Sequence, residues 1–137
     1  GNKEHIADIS RSIDLKIFSK IFKNQSCQFF AVDKNLTKRD KKYLQKFDNL
    51  VICEELIDDW ADTATIVLQL DELVTVDTSL GHIGGTLCKP TKILIAKDPD
   101  WRWGIKCNKT EWYESVELIR QSKKDCWKKE LDGLNFR

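Results

Sequence analysis

The apolar residues of this chain fall in short blocks rather than in strict alternation, and that pattern narrows the fold more than any other feature. Residues 27–32, 50–53, Leu73–Val76, 92–96 and, more weakly, 116–119 are rich in β-branched and aromatic side chains. A strand with one face in water alternates apolar with polar residues, whereas a strand covered on both faces reads as a continuous apolar block, the habit of parallel sheets. Between the blocks the spacing becomes helical. Ile13, Ile17, Phe18 and Ile21 mark one stripe; Tyr43, Leu44 and Phe47 a second; Ala61, Ala64, Val67, Leu68 and Leu70 a third; Trp127 and Leu131 a fourth. Strands alternating with helices imply right-handed βαβ units, which predicts an α/β fold, a three-layer sandwich around a parallel sheet. Asp62 is placed to cap the third helix, since a carboxylate there can accept from an orphaned backbone N–H.

With 137 residues and no Pro/Gly-rich linker, residues 1–137 read as one domain, large enough for a single sizeable core. Lys and Arg total 23 against 22 for Asp and Glu, so the net charge of +1 provides no long-range field for nucleic acid or an acidic membrane. Any anion is expected to be held by local geometry. No apolar run approaches the roughly 20 residues of a membrane span, and GNKEHIADIS has no signal-peptide core, so the expectation is a cytoplasmic protein. Cys27, Cys53, Cys88, Cys107 and Cys126 are widely spaced and form no Cys-x-x-Cys pair, which predicts reduced thiols and no metal site.

The segment that carries chemistry is VTVDTSLGHIGGTLCKPTKILI, residues 74–95. A strand ends at Val76, the small polar residues Asp77, Thr78 and Ser79 follow, and a Gly-rich helix is predicted over residues 80–87. In open parallel sheets ligands bind beyond the carboxyl ends of the strands, where helix N-termini point free N–H groups outward. Such a terminus, with up to four unpaired donors and about half a positive charge, suits a diphosphate. Gly81, Gly84 and Gly85 leave room for a ligand or for a neighbouring strand, at about 1 kcal/mol each relative to alanine. A second reading fits equally: Asp77 or Thr78 caps the helix and the glycines let it lie close to the sheet. His82 can face a phosphate or bond within the protein, and Asp33 with Lys34 reads as a solvated turn.

This segment resembles the donor-side motif of glycosyltransferase family nine, the heptosyltransferase-like enzymes, and especially the versions fused to tetratricopeptide repeats. The residues that carry the likeness are Asp77, Thr78, His82, Gly85, Lys89 and Pro90, in order and at compatible spacing. Two further blocks agree, WADTATIVLQLDELVTVDT from Trp60 and DPDWRWGIKCNKTEWYESVELIRQ from Asp98, while Arg11 and Ser12 fall where the family has a polar loop before its first helix. The resemblance implies a three-layer Rossmann-like parallel sheet, the C-terminal lobe of a two-lobed GT-B glycosyltransferase, holding a nucleoside diphosphate sugar without a required metal or other cofactor. Thr78, Ser79, Gly81 and His82 line the diphosphate site in that implication, with Asp77 shaping the turn or approaching the sugar. Arg11 is a phosphate contact or a solvated surface arginine. Trp101 and Arg102 are placed to stack on the base or close over the sugar, and Trp103 to clamp the C-terminal segment together with Trp112, Tyr113 and Trp127. No catalytic base is assigned, because the implied base lies on an N-terminal acceptor lobe.

The sequence departs from the family pattern at Ser79 and at Cys88, where glycine is frequent. The chain also starts where family sequences are leaving the first strand of the lobe. That strand is central in the usual order, so a gap is expected between the strands beginning near Cys27 and Leu73, met by a perturbed sheet or masked in a homodimer. The alternative to a donor lobe is a degenerate lobe acting as a protein-interaction module. A nicotinamide-dinucleotide domain is disfavoured, since no Gly-x-Gly-x-x-Gly follows the first strand.

Overall fold

The structure, a computed structural model of the chain, describes residues 11–124 and 126–136. Helix α1 (Leu15–Phe18) starts at Asp14, whose carboxylate accepts from the Lys16 amide at 2.8 Å, and tightens into a 3-10 turn over Ser19–Lys23. Strand β1 (Phe29–Ala31), helix α2 (Lys38–Leu44), strand β2 (Leu50–Ile52) and a 3-10 turn (Glu54–Leu56) follow. Helix α3 (Trp60–Gln69) opens on a capping box. Asp59 accepts from the amides of Ala61 and Asp62, and the Asp62 carboxylate reaches back to the Asp59 amide. The N-cap is thus Asp59, with the expected Asp62 as its reciprocal partner. Strand β3 (Leu73–Val76), helix α4 (Ser79–Thr86), strand β4 (Thr91–Ile95), a 3-10 turn (Trp101–Trp103), strand β5 (Val116–Arg120) and helix α5 (Lys128–Asp132) complete the order.

The five described strands pair with one another in parallel, as the apolar blocks predict, and β5 adds an isolated antiparallel bridge from Glu117 to Lys109. Among the described residues the sheet is nevertheless divided: β1 pairs with β2, and β3, β4 and β5 form a second sheet in that order. The break lies between β1 and β3, where the gap was expected. An α/β fold with two small parallel sheets therefore replaces the single sheet anticipated from the pattern.

The β3–β5 sheet is covered on both faces. Val74, Val76, Leu94 and Ile119 join the larger core, which holds Ile21, Phe22, Leu44, Trp127 and Leu131 from the helical layer. Ile93, Ile95, Val116 and Leu118 point to the other face, with Trp103 and Tyr113, and α4 also packs on that side against β3 and β4. Trp127 thus belongs to the opposite core from Trp103, which corrects the single aromatic clamp expected for them. Among the described residues the β1–β2 sheet is covered on one face. Phe29, Ala31, Leu50 and Ile52 meet the helical core, while Phe30 and Val51, paired in register, are 43% and 44% exposed.

Candidate functional site

The β3–α4 junction lies at the carboxyl edge of the β3–β5 sheet. Gly81 and Gly84 set how closely α4 approaches the strands: a Cβ on Gly81 would stand 2.7 Å from Ile93 Cδ1, and one on Gly84 would stand 2.8 Å from Leu73 Cδ2 and collide with Thr91. Gly85 is covered by the Tyr113 ring. The glycines are therefore accounted for by helix–sheet and helix–ring packing, and Gly81 is buried against β4. The helix ends with Cys88 in the left-handed region (φ 52°), its amide donating to Gly85 O at 3.1 Å and that of Lys89 to Gly84 O at 2.9 Å. This is a Schellman cap, and its left-handed position favours glycine.

The start of α4 is arranged differently from those of α2 and α3, which are closed by Thr37 and Asp59. Among the described residues no side chain accepts from the first-turn amides of α4. Thr78, the N-cap residue, turns its hydroxyl inward to Val76 O at 3.4 Å and to Thr75 Oγ1 at 3.2 Å. Gly81 donates to Thr78 O at 3.0 Å, Ser79 is exposed, and Asp77 is half-buried in the bend. The geometry leaves an exposed helix start, with its positive dipole end, at the sheet edge.

His82 is one turn further on. Its Nδ1 lies 3.1 Å from the Tyr113 hydroxyl and its ring stacks on Trp103 with centroids 5.0 Å apart. Of the two readings open for His82, the structure provides the bond within the protein. That contact also brings α4 beside the 3-10 turn Trp101–Trp103. In the turn, Trp103 is buried at 2% exposure while Trp101 is 78% exposed and meets the Trp112 ring edge to face. Arg102 pairs with Asp100 at 2.9 Å, and Trp112 Nε1 donates to Arg102 O. Arg120 secures the following loop by donating to the carbonyls of Trp103, Gly104 and Cys107.

Arg11 is half-buried, two residues ahead of Ile13, and Ile13 lines a cavity of about 470 Å³ between β1 and β3. Val76 and Leu80 line the same cavity, so its far end adjoins the β3–α4 junction. Lys89 is spent on structure, donating to Leu68 O and Leu70 O at the end of α3. Lys34 donates to Asp58 O beside an Asx turn in which Asp33 accepts from the Asn35 amide, in line with the turn reading. Sequence reasoning missed the pairing of Tyr113 with His82 and Gly85, for which spacing offers no signal across 28 to 31 residues. Among the described residues no three His, Cys, Asp or Glu side chains are gathered to hold a metal ion. No helix is long and apolar enough to cross a membrane among those residues.

Neither a family, a curated protein nor a solved structure matches this chain.

Proposed function

We propose that this chain is the donor-binding lobe of a GT-B glycosyltransferase of the family-nine kind, taking a nucleoside diphosphate sugar at the β3–α4 junction. The observation that carries the reading is the start of α4: eight helical residues whose first-turn amides have no side-chain cap among the described residues, at the carboxyl edge of a parallel sheet. A diphosphate supplies the acceptors such amides lack, and the helix dipole favours its charge. Ser79 adds an exposed hydroxyl, and Arg11, a helical residue four positions ahead of α1, a guanidinium. As the glycosidic bond breaks, negative charge grows on the departing diphosphate and these interactions strengthen, which is how a donor lobe lowers a barrier. The acceptor and the general base belong, in this proposal, to a partner N-terminal lobe, with tetratricopeptide repeats attached to the whole. His82 acts here through position, holding α4 against Trp103, and the exposed Trp101 offers a face for the base.

The second reading is an interaction module, favoured by the exposure of Trp101 (78%), Ile105 (76%) and Trp112 (58%) on one loop region. Calorimetric titration with a panel of nucleoside diphosphates separates the two. The donor reading predicts binding that Thr78→Glu abolishes, because a carboxylate at the N-cap occupies the amides and repels phosphate. Absence of binding by the folded protein rejects it and leaves the module.

A further inference from the structure

We infer that the groove between α1 and α2 binds a polyphosphate chain, free or carried as the tail of a nucleotide, at a second place apart from the β3–α4 junction. Sequence spacing prepares it. Arg39, Lys42 and Tyr43 recur three and four residues apart along α2, and Lys46 continues the row just past the helix end, so they share one face. Lys16, in α1, lines the same groove, which has a volume of about 470 Å³. Four cations thus line one space in a chain whose net charge is only +1. Like charges three and four residues apart repel, so the row weakens α2 unless a counter-charge sits among them. Two acids also line the groove, and both are engaged locally. Asp14 accepts from the Lys16 amide at 2.8 Å, and Asp40 accepts from the Thr37 hydroxyl at 2.6 Å. Among the described residues no carboxylate forms an ion pair with Lys16, Arg39, Lys42 or Lys46, whereas Lys41, outside the groove, pairs with Glu54.

The groove is built before any ligand arrives. The Tyr43 hydroxyl bonds with Ser19 Oγ at 3.0 Å, and Ser19 is 5% exposed, so α2 is tied to the turn that continues α1. Lys46 Nζ lies 5.5 Å from the centre of the Tyr43 ring, which holds that cation over the groove. Walls fixed by the protein's own contacts spare the ligand the cost of ordering them. Size and charge then select the ligand. The row from Arg39 to Lys46 covers roughly 10 Å of helix, about the length of three linked phosphates. Such a chain presents oxygens to both walls at once, and the planar Arg39 guanidinium can take two of them together. Nucleic acid needs a longer cationic track, which a chain of net charge +1 does not extend beyond the groove. An acidic peptide spreads single charges along a backbone, whereas the groove gathers its cations in one short space. The inference rests on these side chains and stands whether or not the β3–α4 junction binds a nucleotide.

Amide NMR of the 137-residue protein, titrated with inorganic tripolyphosphate at an ionic strength of about 0.15 M, tests it. Saturable shifts are expected at Lys16, Arg39, Lys42, Tyr43 and Lys46. The double variant Arg39→Gln/Lys42→Gln should weaken this binding by about tenfold or more. Lys23→Gln/Lys128→Gln removes the same charge from exposed positions outside the groove and should change it by less than about twofold. Unshifted amides of Ile93 and Leu94 in the core confirm that each variant is folded. Shifts at Ser79 and Leu80, where the junction takes the same probe, form a separate set that the groove variant leaves in place. Adenosine triphosphate is the second arm: tighter binding than tripolyphosphate assigns the chain to a nucleotide, and equal or weaker binding assigns it to free polyphosphate, both in support of the site. Three results overturn the inference: groove amides unmoved by a large excess of tripolyphosphate, a Lys23/Lys128 variant weakened as much as the groove variant, or an oligoglutamate peptide bound at least as tightly as tripolyphosphate.

Discussion

Cys88 shows how much a single residue can record. At φ 52° it holds the left-handed cap of α4, a conformation that costs a residue with a Cβ about 1 kcal/mol or more. Cys88→Gly is accordingly expected to raise stability by about 1 kcal/mol in urea unfolding, with an unchanged m-value. The glycine missing from the sequence pattern is thus a strained cap and not a change at the ligand edge. Burial separates the other thiols: Cys53 is 3% exposed and its pKa is raised by burial, whereas Cys88, Cys107 and Cys126 are exposed. Alkylation of the native protein is predicted to label those three first and Cys53 only on unfolding, read by peptide mass mapping. Glu130 behaves oppositely. Burial pushes its pKa up, but the Ser122 hydroxyl and amide (2.8 Å), its own backbone N–H and the nearby Lys129 together hold it below the ordinary 4.5. A depressed carboxylate stabilises the fold above its unfolded pKa and loses that contribution as pH falls through the folded one. The melting temperature of Glu130→Gln should therefore fall below the parent's at neutral pH, with the gap narrowing as acid protonates Glu130.

At the scale of elements the reading from sequence succeeded where the physics is periodic and failed where it is a matter of facing. Leu73–Val76 was placed to the residue, and the blocks at β1, β2, β4 and β5 were found within a few residues, because doubly or partly covered strands write their burial into composition. The start of α3 was misplaced by one turn, since Asp59 and Asp62 are both able to cap and only geometry tells N-cap from N3. Asp59→Ala is expected to cost about 1 kcal/mol, measured by chemical denaturation. Spacing leaves the glycines of α4 open to ligand or sheet alike, because it does not reveal which face meets β4. Gly84→Ala decides the matter energetically. Its gain in helix propensity of about 1 kcal/mol is set against overpacking on Leu73 and Thr91 of about 1–3 kcal/mol, so net destabilisation is predicted.

At the scale of the molecule, the candidate site and the break between the sheets are neighbours, joined by Val76 and Leu80 on the cavity wall. The parallel topology could be read from the alternation of blocks and stripes, and the break from the strand order implied by the resemblance. What could not be read was tertiary: the one-sided cover of β1–β2, the assignment of Trp127 and Trp103 to opposite cores, and the use of His82 by Tyr113. Each depends on which elements meet across the chain, and no local pattern encodes that. The functional account depends on whether the start of α4 accepts a diphosphate, and amide NMR during a titration with inorganic pyrophosphate asks it directly. Saturable shifts centred on the amides of Ser79 and Leu80, lost in Thr78→Glu, are the predicted result. A folded protein in which those two amides stay unmoved at saturating pyrophosphate would contradict it.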